Sequence, residues 1–277
     1  MQNGLPVLPL GAPTDSLSHE IGLVSLGTDQ YPRYIGPSSG YFLARVLLTA
    51  TTLREERLSN PTRTGEGTAT PFPCDLVEAV QAPLPLPVRN HAEQLCAAYF
   101  NAIHVQYPLL HEPTFMKMLD QMYEPGDSEP IVAFHVYMVL AIGAVILSQR
   151  HKARIPGESY CLSALQYFDQ LNVKNSLQGL QSLLLLAIFA IHSPCTRLNV
   201  WYLNYQCIAA VLDLGLQRAI GTNRGISFVE QELRTRVFWV VLMMDRTIAT
   251  MMGRPIGLRD EACELRVSAH LSQHCRL

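Results

Sequence analysis

The run Ile131–Leu147, IVAFHVYMVLAIGAVIL, constrains this chain more than any other segment. No Asp, Glu, Lys or Arg interrupts it, and His135 is its most polar side chain. A helix that is apolar on every side must be covered, either by other elements or by lipid. The run falls short of the ~20 residues of a comfortable membrane span, and no basic residue flanks its N-terminal end. It predicts the central helix of a large all-α domain. A membrane-associated helical protein is the alternative this run keeps open. Apolar residues make up 48% of the 277 and charged residues only 16%, against about 25% charged in ordinary soluble proteins. Much of the chain must therefore be buried, in its own core or against a partner.

The periodicity around the run is helical throughout. Residues 88–107 place Val88, Ala92, Leu95, Tyr99 and Ile103 on one face, and Pro108 ends the pattern. Pro113 opens a second helix with Phe115, Met118, Leu119 and Met122 as its face. Further helices are predicted near 158–172, at 176–192 and at about 196–214. The best-specified one covers 228–252. Ser227 and Glu230 have capping-box spacing there, followed by a stripe of Leu233, Val237, Val240, Val241, Met244, Ile248 and Met251. Glu230–Arg234 and Glu232–Arg236 are spaced to pair along it. Asp245 and Arg246 are adjacent and project about 100° apart, so they are not expected to pair with each other, and one of them is expected to pair with a neighbouring helix. The organisation predicted is an irregular segment at 1–37, a leading helix at 38–58, a proline-rich linker at 59–87, a helical domain at 88–265 and an atypical tail at 266–277. No strand alternation, internal repeat or heptad run emerges.

Few chemistries survive a search for motifs. Net charge is −2 and pI about 6.5, unlike a domain that grips DNA mainly through phosphates. Seven cysteines occur without any C-x-x-C, which predicts free thiols rather than a zinc or redox site. Gly36-Pro-Ser38-Ser39-Gly40 spells the G-x-S-x-G of a nucleophile elbow. An elbow needs a buried strand before the Ser and a sheet to stand on, and TDQYPRYI reads as neither. The stretch instead predicts a turn, with Ser38 or Ser39 capping the helix that follows. His104 and His111 are separated by Pro108 and share no helix face, and H-E-x-x-H is absent. No phosphate-binding glycine loop occurs. The lone pair Asp260-Glu261 lacks the aspartate-rich pattern that holds a metal-bound diphosphate.

Four local patterns, YIGPSSGYFLARVLL, YFNAIHVQYPLLHEPTF, WYLNYQCIAAVLDLGLQR and ELRTRVFWVVLMMDRTIATMMGRPIGLRDE, occur in this order, and together they resemble the regulatory domain of fungal zinc-cluster transcription factors. YIGPSSGYFLARVLL, with Gly36, Ser38, Ser39 and Gly40, is similar to the segment that opens that domain. YFNAIHVQYPLLHEPTF resembles its helix and turn through Tyr99, Phe100, His104, Pro108, His111 and Phe115. WYLNYQCIAAVLDLGLQR resembles its tryptophan-initiated helix through Trp201, Asp213 and Gly215, with Gln217 where the family usually has His. ELRTRVFWVVLMMDRTIATMMGRPIGLRDE is the most recognisable, matching at Arg234, Arg236, Trp239, Asp245, Arg246, Gly253, Arg254 and Pro255.

The resemblance implies a nuclear transcription regulator acting with RNA polymerase II on a metabolic or biosynthetic gene set, and not an enzyme. It implies transcription proteins or a second copy of the chain as partners, a small-molecule effector, and no membrane. DNA contact in the family is made by a six-cysteine cluster holding two zinc ions. These residues contain no such cluster, so no cofactor is expected in this chain. The stretch after Glu261 departs from the family, and Val267-Ser268 is what an in-frame intron start would encode, so read-through or a frameshift is expected there. If the family's later helices cover the apolar faces at 130–148 and 228–252, part of those faces is exposed here, and low solubility or obligatory association is expected. An all-α ligand-binding protein or enzyme remains the competing class.

Overall fold

In the computed structural model the residues described are 22–24, 33–35, 39, 82–126, 128–173, 176–193, 198–218 and 226–264. The helices among them are α1 (Arg89–Ala102), α2 (Glu112–Gln121), α3 (Pro130–His151), α4 (Gly157–Leu165), α5 (Leu177–His192), α6 (Val200–Asp213) and α7 (Phe228–Met252). The chain divides into two units, Met1–Ala69 with Thr247–Pro255, and Thr70–Arg246 with Ile256–Leu277. The helix predicted at 38–58 and the tail at 266–277 lie outside the described residues, apart from Ser39 in a bend.

The larger unit is built around α3, the apolar run, which is continuous from Pro130 to His151. Every residue from Val132 to Ile146 is buried. By length and composition α3 could cross a membrane, but 83% of its most apolar window is covered by protein. The cover comes from α1, α2, α4 and α5, and α6 packs on α5. The approach of α1 is close enough that a Cβ on Gly143 would lie 2.1 Å from the Leu95 carbonyl oxygen. Burial of this kind stabilises by roughly 25 cal/mol per Å² of apolar surface, so α3 is the main source of the unit's stability.

Local chemistry sets the helix ends. Pro113 and Pro130 lie within the first two positions of α2 and α3, where a missing N–H costs nothing. Ser176 Oγ accepts from Gly179 N at 3.0 Å, Asn199 Oδ1 from Tyr202 N at 3.3 Å, and Ser227 Oγ from Glu230 N at 3.2 Å, capping α5, α6 and α7. At the far end of α6, Gly215 has φ +63°; its N–H bonds Leu212 O and that of Leu216 bonds Val211 O. The α7 terminus repeats the motif with Gly253 at φ +61° and Arg254 N bonded to Ala249 O. A left-handed residue is needed at both stops, and glycine adopts it without strain.

Several expectations need correction. Residues 1–37 are not wholly irregular: β1 (Gly22–Val24) and β2 (Arg33–Ile35) form an antiparallel pair, with Leu23 opposite Tyr34. Three-residue strands are too short to show alternation. A strand therefore does precede Gly36, although it belongs to a two-stranded ribbon and not to the parallel sheet an elbow requires. The helix before Pro108 stops at Ala102, and a turn through Ile103–Gln106 follows. Val88 is 66% exposed because it is the N-cap and not part of the buried face. The helix near 158–172 is α4 followed by a 3-10 turn at Phe168–Gln170. Met251, assigned to the core stripe of α7, is exposed, while Phe238, left out of it, is fully buried.

Candidate functional site

Asp245 is the most densely bonded side chain among the described residues. It is completely buried in the middle of α7. Asn204 Nδ2 on α6 donates to Oδ1 at 3.1 Å. The backbone N–H of Gly257 donates to both carboxylate oxygens, at 3.1 and 3.0 Å, and that of Leu258 to Oδ2 at 3.1 Å. Arg246 Nη1 donates to Oδ2 at 2.8 Å, and its Nη2 reaches Asp260 at 2.5 Å. Asp245 meets a neighbouring helix through Asn204, as expected, but the adjacent positions also pair with each other, contrary to expectation. Arg246 is long enough to fold back over the neighbouring carboxylate on its way to Asp260. A buried carboxylate needs this many donors, because its charge has left water. The knot ties α6, α7 and the segment after α7 together. Gly257 permits it: a Cβ there would lie 2.6 Å from Ile208 Cδ1 and 3.3 Å from Asp245 Oδ1.

A second cluster is aromatic. Phe100 sits edge-on to Tyr99 and His104 with ring centroids 5.1 Å apart in each case, and 5.4 Å from Phe115 on α2. Edge-to-face pairs of this kind fix ring orientation as well as burying area. Burial, and then the positive charge of Arg236, push the His104 imidazole down from 6.5 to about 4. His104 Nδ1 and the Tyr99 hydroxyl have no partner. Burial also raises the Tyr99 phenol. Pro108 lines a shallow groove with Arg236 and Trp239 of α7. His111 is the N-cap of α2, and its Nδ1 shares a 2.7 Å hydrogen bond with Thr114 Oγ1.

The remaining predicted positions serve structure. Trp201 stacks at a tilt on Tyr205, 4.9 Å between centroids. Asp213 is exposed at the end of α6, before the Gly215 stop. Arg234 does not complete the helix pair with Glu230; its Nη2 donates to Leu214 O at 2.9 Å, beside that same stop. Arg236 does pair with Glu232, at 2.9 Å. Gly253 and Arg254 form the α7 stop, and Pro255 follows it exposed. Ser39 is buried; Gly36, Ser38 and Gly40 lie outside the described residues.

A cavity of about 390 Å³ opens between α2, α3, α5 and the start of α7. Phe115, Met118, His135, Gln178 and Leu233 are among its lining residues. His135 is 1% exposed. Gln181, from the same face of α5, donates to Leu109 O at 2.6 Å. Asn204, His135 and Gln181 were not predicted as site residues. The signal for Asn204 was legible: it occupies the buried face of α6 at helical spacing from Cys207, Ile208 and Val211.

Among the described residues no group of three or more His, Cys, Asp or Glu could hold a metal ion. Cys96, Cys161 and Cys207 are buried, and burial drives each thiol up to about 12, so none is a ready nucleophile. What these residues build is an assembly of helix-to-helix joints with a cavity among them.

Comparison with known proteins places these joints. The profile of the fungal specific transcription factor domain matches residues 97–268. The chain is 25% identical to the positive regulator of purine utilization of Emericella nidulans, over 89% of this chain and 30% of that protein. It is 26% identical to Protein STB5 of Saccharomyces cerevisiae, over 62% of this chain and 25% of that protein. It is 28% identical to an ABC-transporter-regulating transcription factor of Aspergillus fumigatus, over 62% of this chain and 20% of that protein. The chain thus spans less than a third of the length of these relatives, and no solved structure matches it. With the profile covering more than half of its residues, the aromatic cluster and the Asp245 knot included, the chain belongs to the family of the fungal specific transcription factor domain.

Proposed function

We propose that this chain is the helical regulatory domain of a zinc-cluster transcription regulator. The observation that carries the reading is the family match across residues 97–268, on an all-α unit whose motif residues, among those described, join helices. In this reading the domain works in the nucleus and modulates transcription by RNA polymerase II. It does so through contacts with transcription proteins or a second copy of itself, and it is not an enzyme. Sequence-specific DNA contact belongs to the six-cysteine zinc cluster of the family, which these residues do not contain. The relatives' names, purine utilization and ABC-transporter regulation, support a metabolic or export gene set.

The test is a tethered reporter. The chain is fused to an unrelated DNA-binding domain and placed upstream of a reporter gene in a fungal host. Expression should change relative to the DNA-binding domain alone, and a gel-shift with the unfused chain should show no sequence-specific complex. A reporter indifferent to the fusion in every growth condition tried, with the fusion expressed and nuclear, would count against the reading.

A further inference from the structure

Helix α6 buries one face and leaves another without cover. Asn204, Cys207, Ile208 and Val211 turn inward. On the other side Tyr202, Tyr205, Ala209 and Leu212 are exposed, and Tyr202 is 62% exposed. Their spacing sets them on an arc of about 80°, at about 100° per residue. No charged residue falls within that arc. The outward face of a surface helix is ordinarily polar, so a contiguous apolar stripe there marks a contact. Tyr205 is already held in place. Its ring centroid lies 4.9 Å from that of Trp201, and a Cβ on Gly257 would come 3.4 Å from Tyr205 Cζ. A side chain fixed before association loses little freedom on association.

The stripe is complementary to itself. Turned about a two-fold axis at the level of Cys207, a second α6 runs antiparallel to the first. That sets Tyr205 of each copy over Ala209 of the other, and Tyr202 beside Leu212. The larger ring falls on the smallest side chain of the stripe, which lets the helices close to the usual separation of about 8–10 Å. A parallel pair in register would set ring on ring and leave a gap at Ala209. Charge makes the same choice. Asp213 stands at the C-terminal end of its own helix, where the dipole disfavours a carboxylate, and the last turn carries no base. Arg234 answers the Leu214 carbonyl there. The first turn of α6 carries no acid. In the antiparallel pair each Asp213 lies beside the positive N-terminal end of the other α6, where a carboxylate is favoured. We infer that α6 is a self-association surface that pairs two copies of this chain antiparallel through Tyr202, Tyr205, Ala209 and Leu212. One pair of 14-residue helices buries an area near the low end of the ~1,200–2,000 Å² of specific interfaces, so the pair is reversible. The inference deepens the self-contact in the regulatory reading above and rests on that reading for its role in transcription.

Sedimentation velocity of the full chain over a concentration series tests the pairing. The chain should pass from monomer to a closed dimer. Ala209→Lys places a charge in the contact twice and should raise the dissociation constant at least about tenfold. Tyr205→Glu should do the same. Mixed together, these two variants should recover a dimer, because position 209 of one copy faces position 205 of the other and the two charges meet. Leu212→Lys mixed with Tyr202→Glu repeats the exchange at the outer pair. It covers the case in which Tyr205→Glu, whose ring packs on Trp201, does not fold. Circular dichroism and urea midpoints show which variants are folded. A chain that stays monomeric up to about 100 µM, a dimer indifferent to Ala209→Lys, or folded variants that do not recover a dimer on mixing would overturn the surface. If the dimer forms as described but the tethered reporter ignores the fusion, the regulatory reading loses support while the surface stands. An active reporter with a monomeric chain overturns the surface alone.

Discussion

Replacing Asp245 by Ala tests whether the carboxylate knot holds the α6–α7 joint. The substitution leaves two kinds of donor behind. Arg246 is partly exposed and keeps Asp260, so it resolvates at a cost of about 0–1 kcal/mol. Asn204, at 1% exposure, and the N–H of Leu258, at 1%, have no water to turn to. Gly257 N, half-buried, is in between. Each stranded buried donor costs about 1–3 kcal/mol, and the terms overlap because the groups share one acceptor. The expected loss is about 3–5 kcal/mol, in line with breaking other buried charged contacts. That is a third or more of the ~5–15 kcal/mol that holds a domain together.

Urea unfolding followed by far-UV circular dichroism measures the loss. A cycle with Asn204→Ala locates it. If Asn204 acts through Asp245, the double variant should be more stable than the sum of the singles predicts, by about 1–2 kcal/mol. Asp245→Asn should also destabilise, since its amide turns a donor toward donors. A loss under about 1 kcal/mol for Asp245→Ala, or strict additivity with Asn204→Ala, would refute the knot as the joint between these helices.

Three further outcomes follow from burial. Unfolding freely exposes His135, so the unfolded chain takes up a proton near pH 6.5 while the folded one resists until about 4. Stability is therefore full above pH 6.5 and falls as pH drops through that window, by about 2 kcal/mol at pH 5 from this residue. His104 acts in the same direction; urea midpoints at pH 7 and pH 5 check the sign, and a midpoint that rises on acidification contradicts it. Gly143→Ala sets a methyl 2.1 Å from the Leu95 backbone oxygen and should cost about 3 kcal/mol or more, seen as a thermal midpoint lowered well beyond that of a surface Gly→Ala control. Tyr99→Phe removes a buried hydroxyl that has no partner, so the unfolding free energy from a urea titration should be unchanged or higher, where loss of a made hydrogen bond would lower it by about 1 kcal/mol.

What was legible in the sequence was whatever periodicity or capping encodes. The all-round apolar run could only be a core helix or a span, and α3 is a core helix. Ser176 and Ser227 announce the starts of α5 and α7, and Gly215 and Gly253 the stops of α6 and α7. Motif residues were legible as a set but not as partners. Arg234 was matched by spacing to Glu230, yet it reaches a carbonyl on another helix, because an arginine side chain spans farther than one helical turn. Asp245 and Arg246 were separated by helical geometry at the Cα level, whereas their contact is made at the far end of a flexible side chain. The cavity was invisible for a different reason. It depends on how four elements meet, which no single stretch of sequence records.

The polar contacts answer a question that apolar burial leaves open. A helix such as α3, with apolar residues on every side, can rotate about its axis or slide along its neighbours and still bury much the same area. Close-packed apolar side chains oppose this only through shape. A single buried hydrogen bond opposes it directly, because a slip of one residue strands both partners. Three joints of the larger unit carry such a constraint, and a fourth is keyed by close approach. His135 meets Ser182 across α3 and α5, Gln181 of α5 meets Leu109 O, Asn204 meets Asp245 across α6 and α7, and the α1–α3 contact is keyed by Gly143 against Leu95. Three of these four lie on α3 or α5, the most apolar helices, where shape alone specifies least. Within that set His135 stands apart: Nε2 lies against both the Gln178 carbonyl oxygen and Ser182 Oγ, so one imidazole fixes the register of α3 against α5 through two partners.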